Sequence, residues 1–230
     1  MKSRTRGKII FVTGTDTGVG KTIFSSLLVY HLRKSGRHAL AMKPFCSGGR
    51  GDVRLLRGMQ DGELSEEEIN PFYFPEPVAP LVSARQRKRR ISLGEVVRRI
   101  EKMAARCECL VVEGVGGLLV PLGENFMVSD LIEALDCEVV VMARNQLGTI
   151  NHTLLTVKAL RRFCPKNIAI VLMGTSKKDA SVKTNVRILG ELLRPLRVHE
   201  IDFLCKNPNK IGVLKKSHKK IKKTLARMYR

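Results

Sequence analysis

The chain of 230 residues is 43% hydrophobic, enough to bury a sizeable core in one domain, and it carries 42 Lys and Arg against 21 Asp and Glu, a formal charge of +21. No apolar run approaches the ~20 residues of a membrane span, and the basic start MKSRTRGKII leads straight into apolar sequence without the pattern of a cleaved leader. A cytoplasmic protein that makes no membrane contact is expected, and the cysteines (Cys46, Cys107, Cys109, Cys137, Cys164 and Cys205) lack paired metal spacing and read as reduced thiols.

Residues 9–13 predict a strand, TGTDTGVGKT follows at 13–22, and residues 22–34 have a helical pattern. Strand, glycine-rich turn and helix is the order that a nucleotide triphosphate needs. Amides of Gly18, Val19, Gly20 and Lys21 can point at an anion, and the helix N-terminus adds its dipole. Lys21 would reach the β/γ-phosphates and the Thr22 hydroxyl would hold Mg²⁺, with Asp16 and Thr17 completing the loop. The literal Walker pattern misses its first glycine, because Thr15 stands there.

A second strand at 39–43 ends in KPFCSGG, residues 43–49, with Asp52 beyond it. Lys43 is a candidate second cation for a phosphoryl-transfer transition state, against the alternative of a snorkelling surface lysine. Ser47 can orient a substrate oxygen, while Asp52 is either a helix N-cap or a magnesium ligand. Residues 61–92, acidic and proline-rich and then basic, predict an excursion over the surface.

A helix at 93–105 precedes a strand at 110–113, which closes on Glu113 and the turn Gly114-Val115-Gly116-Gly117. A hydrophobic strand ending in a carboxylate is the Walker B arrangement, with Glu for the usual Asp. Thr22, Asp52 and Glu113 then offer three oxygens to magnesium, which favours oxygen ligands and substrate phosphates, and Gly116 borders the nucleotide. Further along, a helix at 128–134 and a strand at 138–142 lead to RNQLGTIN at 144–151 and a helix at 149–162. Amides of Gly148, Thr149, Ile150 and Asn151 form either a second anion site, suited to a carboxylate, or a simple capped turn.

A strand at 168–173, a helix at 182–193 and a short strand near 198–201 complete the alternation. Apolar strands between amphipathic helices imply an α/β fold of the P-loop NTPase type, a parallel sheet with helices on both faces, as a single domain over residues 1–230. Its ligands belong at the carboxyl ends of the strands. Residues 206–230 form a basic tail, part-helical because Ile221, Leu225 and Met228 recur at spacings of four and three. The basic runs at 85–90 and 215–230 have no interleaved aromatics, so they read as solvated faces with weak, non-specific nucleic-acid contact at most.

Taken together, TGTDTGVGKT, KPFCSGG with Asp52, NPFYFPEPVAP at 70–80, VVEGVGGLLVPL at 111–122 and LGTINHTLLT at 147–156 resemble the dethiobiotin synthetases. The resemblance covers about four-fifths of the chain and implies a homodimer acting on 7,8-diaminononanoate, CO₂ and MgATP. One amine forms a carbamate, whose oxygen takes the γ-phosphoryl group; the other amine then expels phosphate and closes the ring. It implies that Lys21 and Lys43 neutralise the phosphoryl group, that Thr17 and Ser47 border the carbamate, and that Gly148–Asn151 bind the substrate carboxylate across the dimer interface. Both lysines are expected to project from loops, dispensable for folding. The chain departs from the family pattern at Gly18, often Glu, at Val78-Ala79-Pro80-Leu81, often with Ser-Pro-His, and at Met173-Gly174-Thr175, often an Asn-Asp pair that reads adenine. An alternative from another class is a partition or positioning ATPase switch that binds DNA or membrane. Those proteins carry a signature lysine where this chain has Asp16.

Overall fold

The computed structural model describes residues 7–163, 167–177 and 179–229; Cys164 and the first six residues of the basic start lie outside them. Strand β1 (Lys8–Gly14) leads into helix α1 (Lys21–Lys34), then come β2 (Ala39–Met42), β3 (Phe45–Ser47), α2 (Gly51–Met59), α3 (Glu66–Ile69) and β4 (Phe72–Phe74). Helices α4 (Pro80–Gln86) and α5 (Leu93–Ala104) precede β5 (Cys109–Glu113), the hairpin of β6 (Pro121–Gly123) and β7 (Phe126–Met127), and α6 (Val128–Leu135). The chain continues through β8 (Glu138–Arg144), α7 (Thr149–Leu160), β9 (Asn167–Met173), α8 (Val182–Leu192), β10 (Arg197–Ile201) and α9 (Ile211–Met228).

Six strands form a wholly parallel sheet in the order β10-β9-β8-β1-β5-β2. The central strands β1 and β5 are almost continuously apolar and buried, as a sheet covered on both faces requires. Each anticipated strand and helix of this sheet is present, with ends shifted by a residue or two; α1 begins at Lys21 rather than Thr22.

Residues 61–92 differ from the expected surface excursion. Leu64, Ile69, Phe72 and Phe74 are fully buried, β4 pairs in parallel with β3, and the Phe45 and Phe72 rings stack at 4.8 Å. Just before the segment, the α2 C-cap residue braces the edge strand: Gln60 Nε2 donates to Ala41 O while its Oε1 accepts from Ala41 N, so both backbone groups of Ala41 on the open edge of β2 are met by a side chain. The apolar positions at 64, 69, 72 and 74 lack a helical or strand period, so the sequence hid their burial.

Helix α9 packs on α1, with Leu214, Ile221 and Leu225 buried. His31 Nδ1 and His218 Nε2 meet at 3.0 Å in that contact, so one ring donates and the other accepts.

Candidate active site

All of the candidate phosphoryl-transfer groups lie where parallel strands end. The loop after β1 turns through Gly18 (φ 70°) and Gly20 (φ 100°), left-handed values at which a side chain is strained. Gly20 caps α1 directly, which leaves the first amides of that helix free of a side-chain cap. An added Cβ at Gly18 would come within 2.7 Å of Arg144 Nη2, and the Arg144 guanidinium donates through Nε and Nη2 to Gly18 O at 3.1 and 3.0 Å. Arg144 closes β8 and pins the loop from outside. In the sequence Arg144 is an ordinary strand-end residue four positions before Gly148, and only the fold brings it to the phosphate loop.

Register accounts for the main cluster. Met42 pairs with Val112, so the next residues on the two strands, Lys43 and Glu113, fall side by side. Lys43 Nζ donates to Glu113 Oε1 at 2.7 Å and to Asp52 Oδ2 at 2.5 Å. Thr22 Oγ1 donates to the same Glu113 oxygen at 2.6 Å. Glu113 is fully buried and Lys43 only 6% exposed, so the lysine is neither a snorkelling residue nor a free loop side chain. Burial opposes the ammonium, but the Glu113 and Asp52 carboxylates outweigh it and hold the Lys43 pKa above the ordinary lysine value. Asp52 lies in the first turn of α2, one residue inside the helix rather than at its N-cap, which is Arg50. The segment at 61–92 sets this lysine in place: Asn70 Nδ2 donates to the carbonyls of Lys43 and Pro44, and Lys43 N donates to Ile69 O.

Lys21 is also 6% exposed. Its Nζ bridges Asp16 O at 2.8 Å and Gly116 O at 2.7 Å, joining the phosphate loop to the glycine turn after β5. Burial, with the nearby Lys43 charge adding to it against the pull of Glu113, lowers its pKa to about 8. Asp16 Oδ1 accepts from the Thr17 amide at 2.6 Å.

These side chains line a cavity of about 340 Å³ that includes Thr17, Lys21, Thr22, Lys43, Ser47, Asp52, Glu113 and Gly116. Ser47 Oγ and Glu113 Oε2 are buried there without a protein hydrogen-bond partner, two polar atoms available to a ligand, an ion or water. Among the described residues no three His, Cys, Asp or Glu side chains converge on a metal position. A divalent ion here would rest on the Thr22 hydroxyl, the two carboxylates and ligand phosphates, an all-oxygen set that suits magnesium. A neighbouring cavity of about 560 Å³ runs from Gly18, Val19 and Gly20 past Arg144 to Met173–Thr175 and on to Phe203, Lys206 and Pro208. Asn209 lines the smaller cavity. The start of the basic tail therefore borders the site.

Gly148 to Asn151 stand apart from both cavities. Gly148 caps α7 with φ 89°, the Thr149 amide donates to Gln146 O, and the Thr149 hydroxyl is buried without a partner.

A parallel sheet with a glycine-rich phosphate loop at its carboxyl edge defines a P-loop nucleotide-binding protein. The AAA_26 family, described as an AAA domain, matches residues 8–205. The chain is 44% identical over 176 residues to the ATP-dependent dethiobiotin synthetase BioD of Bacillus licheniformis, covering 74% of this chain and 75% of that protein. It is 40% identical over 201 residues to the protein of that name from Endomicrobium trichonymphae, covering 85% and 93%. Among solved structures, the MinC:MinD cell division protein complex of Aquifex aeolicus superposes with TM-score 0.60 at 13% identity over 96% of each chain. The pNOB8 ParA structure bound to nonspecific DNA gives 0.55 at 10% identity, over 97% of this chain and 100% of that one. The structural likenesses show the fold alone. The sequence likenesses go further: the chain belongs to the ATP-dependent dethiobiotin synthetase family.

Proposed function

We propose that the chain joins CO₂ to 7,8-diaminononanoate at the expense of ATP, giving dethiobiotin, ADP and phosphate. The observation that carries this reading is the meeting of Lys21, Lys43, Thr22, Asp52 and Glu113 around one cavity at the carboxyl edge of the sheet. In the first step an amine adds to CO₂ and loses a proton, forming a carbamate. A carbamate oxygen then attacks the γ-phosphorus and ADP leaves. Finally the second amine attacks the carbonyl carbon, phosphate leaves, and the five-membered ring closes, with proximity of the two amines supplying much of the rate.

The chain's own groups have separable roles. Loop amides from Gly18 to Lys21 hold the triphosphate, and Lys21 exchanges its two carbonyl contacts for phosphate oxygens. Lys43, kept charged by its carboxylate neighbours, faces the negative charge of the transferring group. The unpartnered Ser47 hydroxyl is available to the carbamate, with Thr17 at the rim. Magnesium, held by Thr22, Asp52 and Glu113, would neutralise charge on the phosphate oxygens; the free Glu113 Oε2 supports this assignment. The larger cavity takes the nucleoside, loosely with respect to base, because Thr175 Oγ1 is already engaged with Lys177 O and Met173 has no donor.

The working unit in this reading is a homodimer in the cytoplasm. Its second protomer lends Gly148–Asn151 to the substrate carboxylate, supported by Leu147 at 79% and Leu155 at 58% exposure beside that turn. No described helix is long and apolar enough to cross a membrane. Incubation with ¹³C-bicarbonate, the diamine and MgATP tests the chemistry by mass spectrometry. Dethiobiotin should carry one label and form in step with ADP; ATP consumption without labelled product would refute the reading.

A further inference from the structure

Helix α9 has the sequence IGVLKKSHKKIKKTLARM, with seven Lys and Arg and no Asp or Glu. Its buried side carries Leu214, Ser217, His218, Ile221 and Leu225 against the body. On the opposite side Lys216, Lys219, Lys223 and Arg227 succeed one another at spacings of three, four and four, all exposed. They form a stripe about 16 Å long at the helical rise per residue. Neighbouring Lys215 is tied to Asp61 and Lys220 to Leu204 O, but the four stripe residues have no acidic partner among the described residues.

Two other exposed helices, α5 and α8, pair a basic residue with an acidic one along their own surface. Arg99 pairs with Glu95 on α5, and Arg187 with Glu191 on α8, each at the stabilising four-residue spacing. On α9 the same spacings set like charges together, which is destabilising. A face that serves solubility alone intersperses both signs.

We propose that this face of α9 docks the phosphate backbone of a double-stranded nucleic acid, without reading its sequence. The apolar side that an amphipathic helix would sink into a membrane is already buried on the protein. A single strand would call for aromatic platforms. The tyrosine rings beside the helix already carry cations: Tyr30 lies beneath the Lys34 and Lys215 ammonium groups at 5.7 and 5.4 Å, and Tyr229, after the helix end, beneath that of Lys8 at 6.0 Å. What remains is a rigid row of cations at one-turn intervals, which contacts phosphates and offers no amide or hydroxyl for base edges.

The test is fluorescence anisotropy with labelled 20-base-pair DNA duplexes of two unrelated sequences, between 50 and 200 mM salt. Four neutralised phosphates correspond to a salt slope of about −3.6, which alone weakens binding ~150-fold over that range. Neutralising the stripe (Lys216→Gln, Lys219→Gln, Lys223→Gln, Arg227→Gln) should remove about that much slope, equally for both sequences, with dethiobiotin formation and the melting temperature retained. Neutralising four exposed cations elsewhere (Lys88→Gln, Arg90→Gln, Arg98→Gln, Lys102→Gln) should leave most of the slope in place. If the fourfold stripe variant fails to fold, Lys219→Gln and Lys223→Gln taken singly should each lower the slope by ~0.9. Absence of duplex binding at 50 mM salt, or equal losses in both fourfold variants, would overturn the proposal. Tighter stripe-dependent binding to single strands, or to vesicles of equal phosphatidylcholine and phosphatidylserine, would also overturn it.

Discussion

Replacing Lys43 by Met should destabilise the protein as well as slow it. The Glu113 carboxylate is fully buried, and Lys43 is the one cation bonded to it among the described residues. Its other partner, Thr22, supplies a single hydroxyl. Removing one member of a buried ion pair leaves an uncompensated charge and typically costs about 3–5 kcal/mol. Asp52 adds little to that figure, because its side chain is 46% exposed and water can take over. For a chain of this size each kcal/mol shifts the melting point by about 2–4 °C, so Lys43→Met should melt ~6–20 °C below the parent. Adding Glu113→Gln should restore at least half of the lost stability and none of the turnover. Turnover itself should fall by about two to four orders of magnitude, the range for losing a charge that acts on a transition state. Calorimetry of the single and double variants checks the cycle. A Lys43→Met protein that melts within 2 °C of the parent would refute the buried-pair argument.

Three other outcomes are open to measurement. Lys21 has a pKa of about 8 in the free protein, and a bound triphosphate favours its charged form, so ATP binding should weaken about tenfold per pH unit above 8. Titration calorimetry in buffers of different ionisation enthalpy should show proton uptake near pH 9; no uptake would contradict the assignment. His31 and His218 are both pushed below the usual imidazole value, chiefly by burial. The unfolded chain therefore binds more protons below about pH 6.5, and stability should fall as the pH drops through that value toward the folded-state pKa values. His218→Phe should blunt that slope in melts between pH 5 and 7; an unchanged slope would locate the acid sensitivity elsewhere. CTP and GTP should support turnover within about tenfold of ATP, a gap of ~1.4 kcal/mol, and a preference above a hundredfold would show base contacts beyond Met173–Thr175.

The sheet was legible because its strands are short apolar runs flanked by amphipathic helices, a pattern that local sequence carries by itself. The phosphate loop, Lys43 and Glu113 were legible as strand-end residues of the right chemistry. Their mutual contact was not, because it depends on the register of β2 against β5, which pairs residues seventy positions apart. The burial of Lys43 was misjudged for the same reason. Residues 61–92 were misread because β4 and α3 are each no longer than four residues, too short to show a period. Asn70 and Gln60 brace β2 and its lysine through backbone contacts that no motif records. Arg144 and Asn209 reach the cavities from separate strand and tail segments, so only the fold brings them there.

ATP hydrolysis followed with and without 7,8-diaminononanoate, in the presence of magnesium and bicarbonate, tests the central claim most directly. The ligase account predicts that ADP appears only when the diamine is present and in proportion to dethiobiotin formed, because the phosphoryl acceptor is the carbamate. An ATPase rate that is the same without the diamine would contradict it.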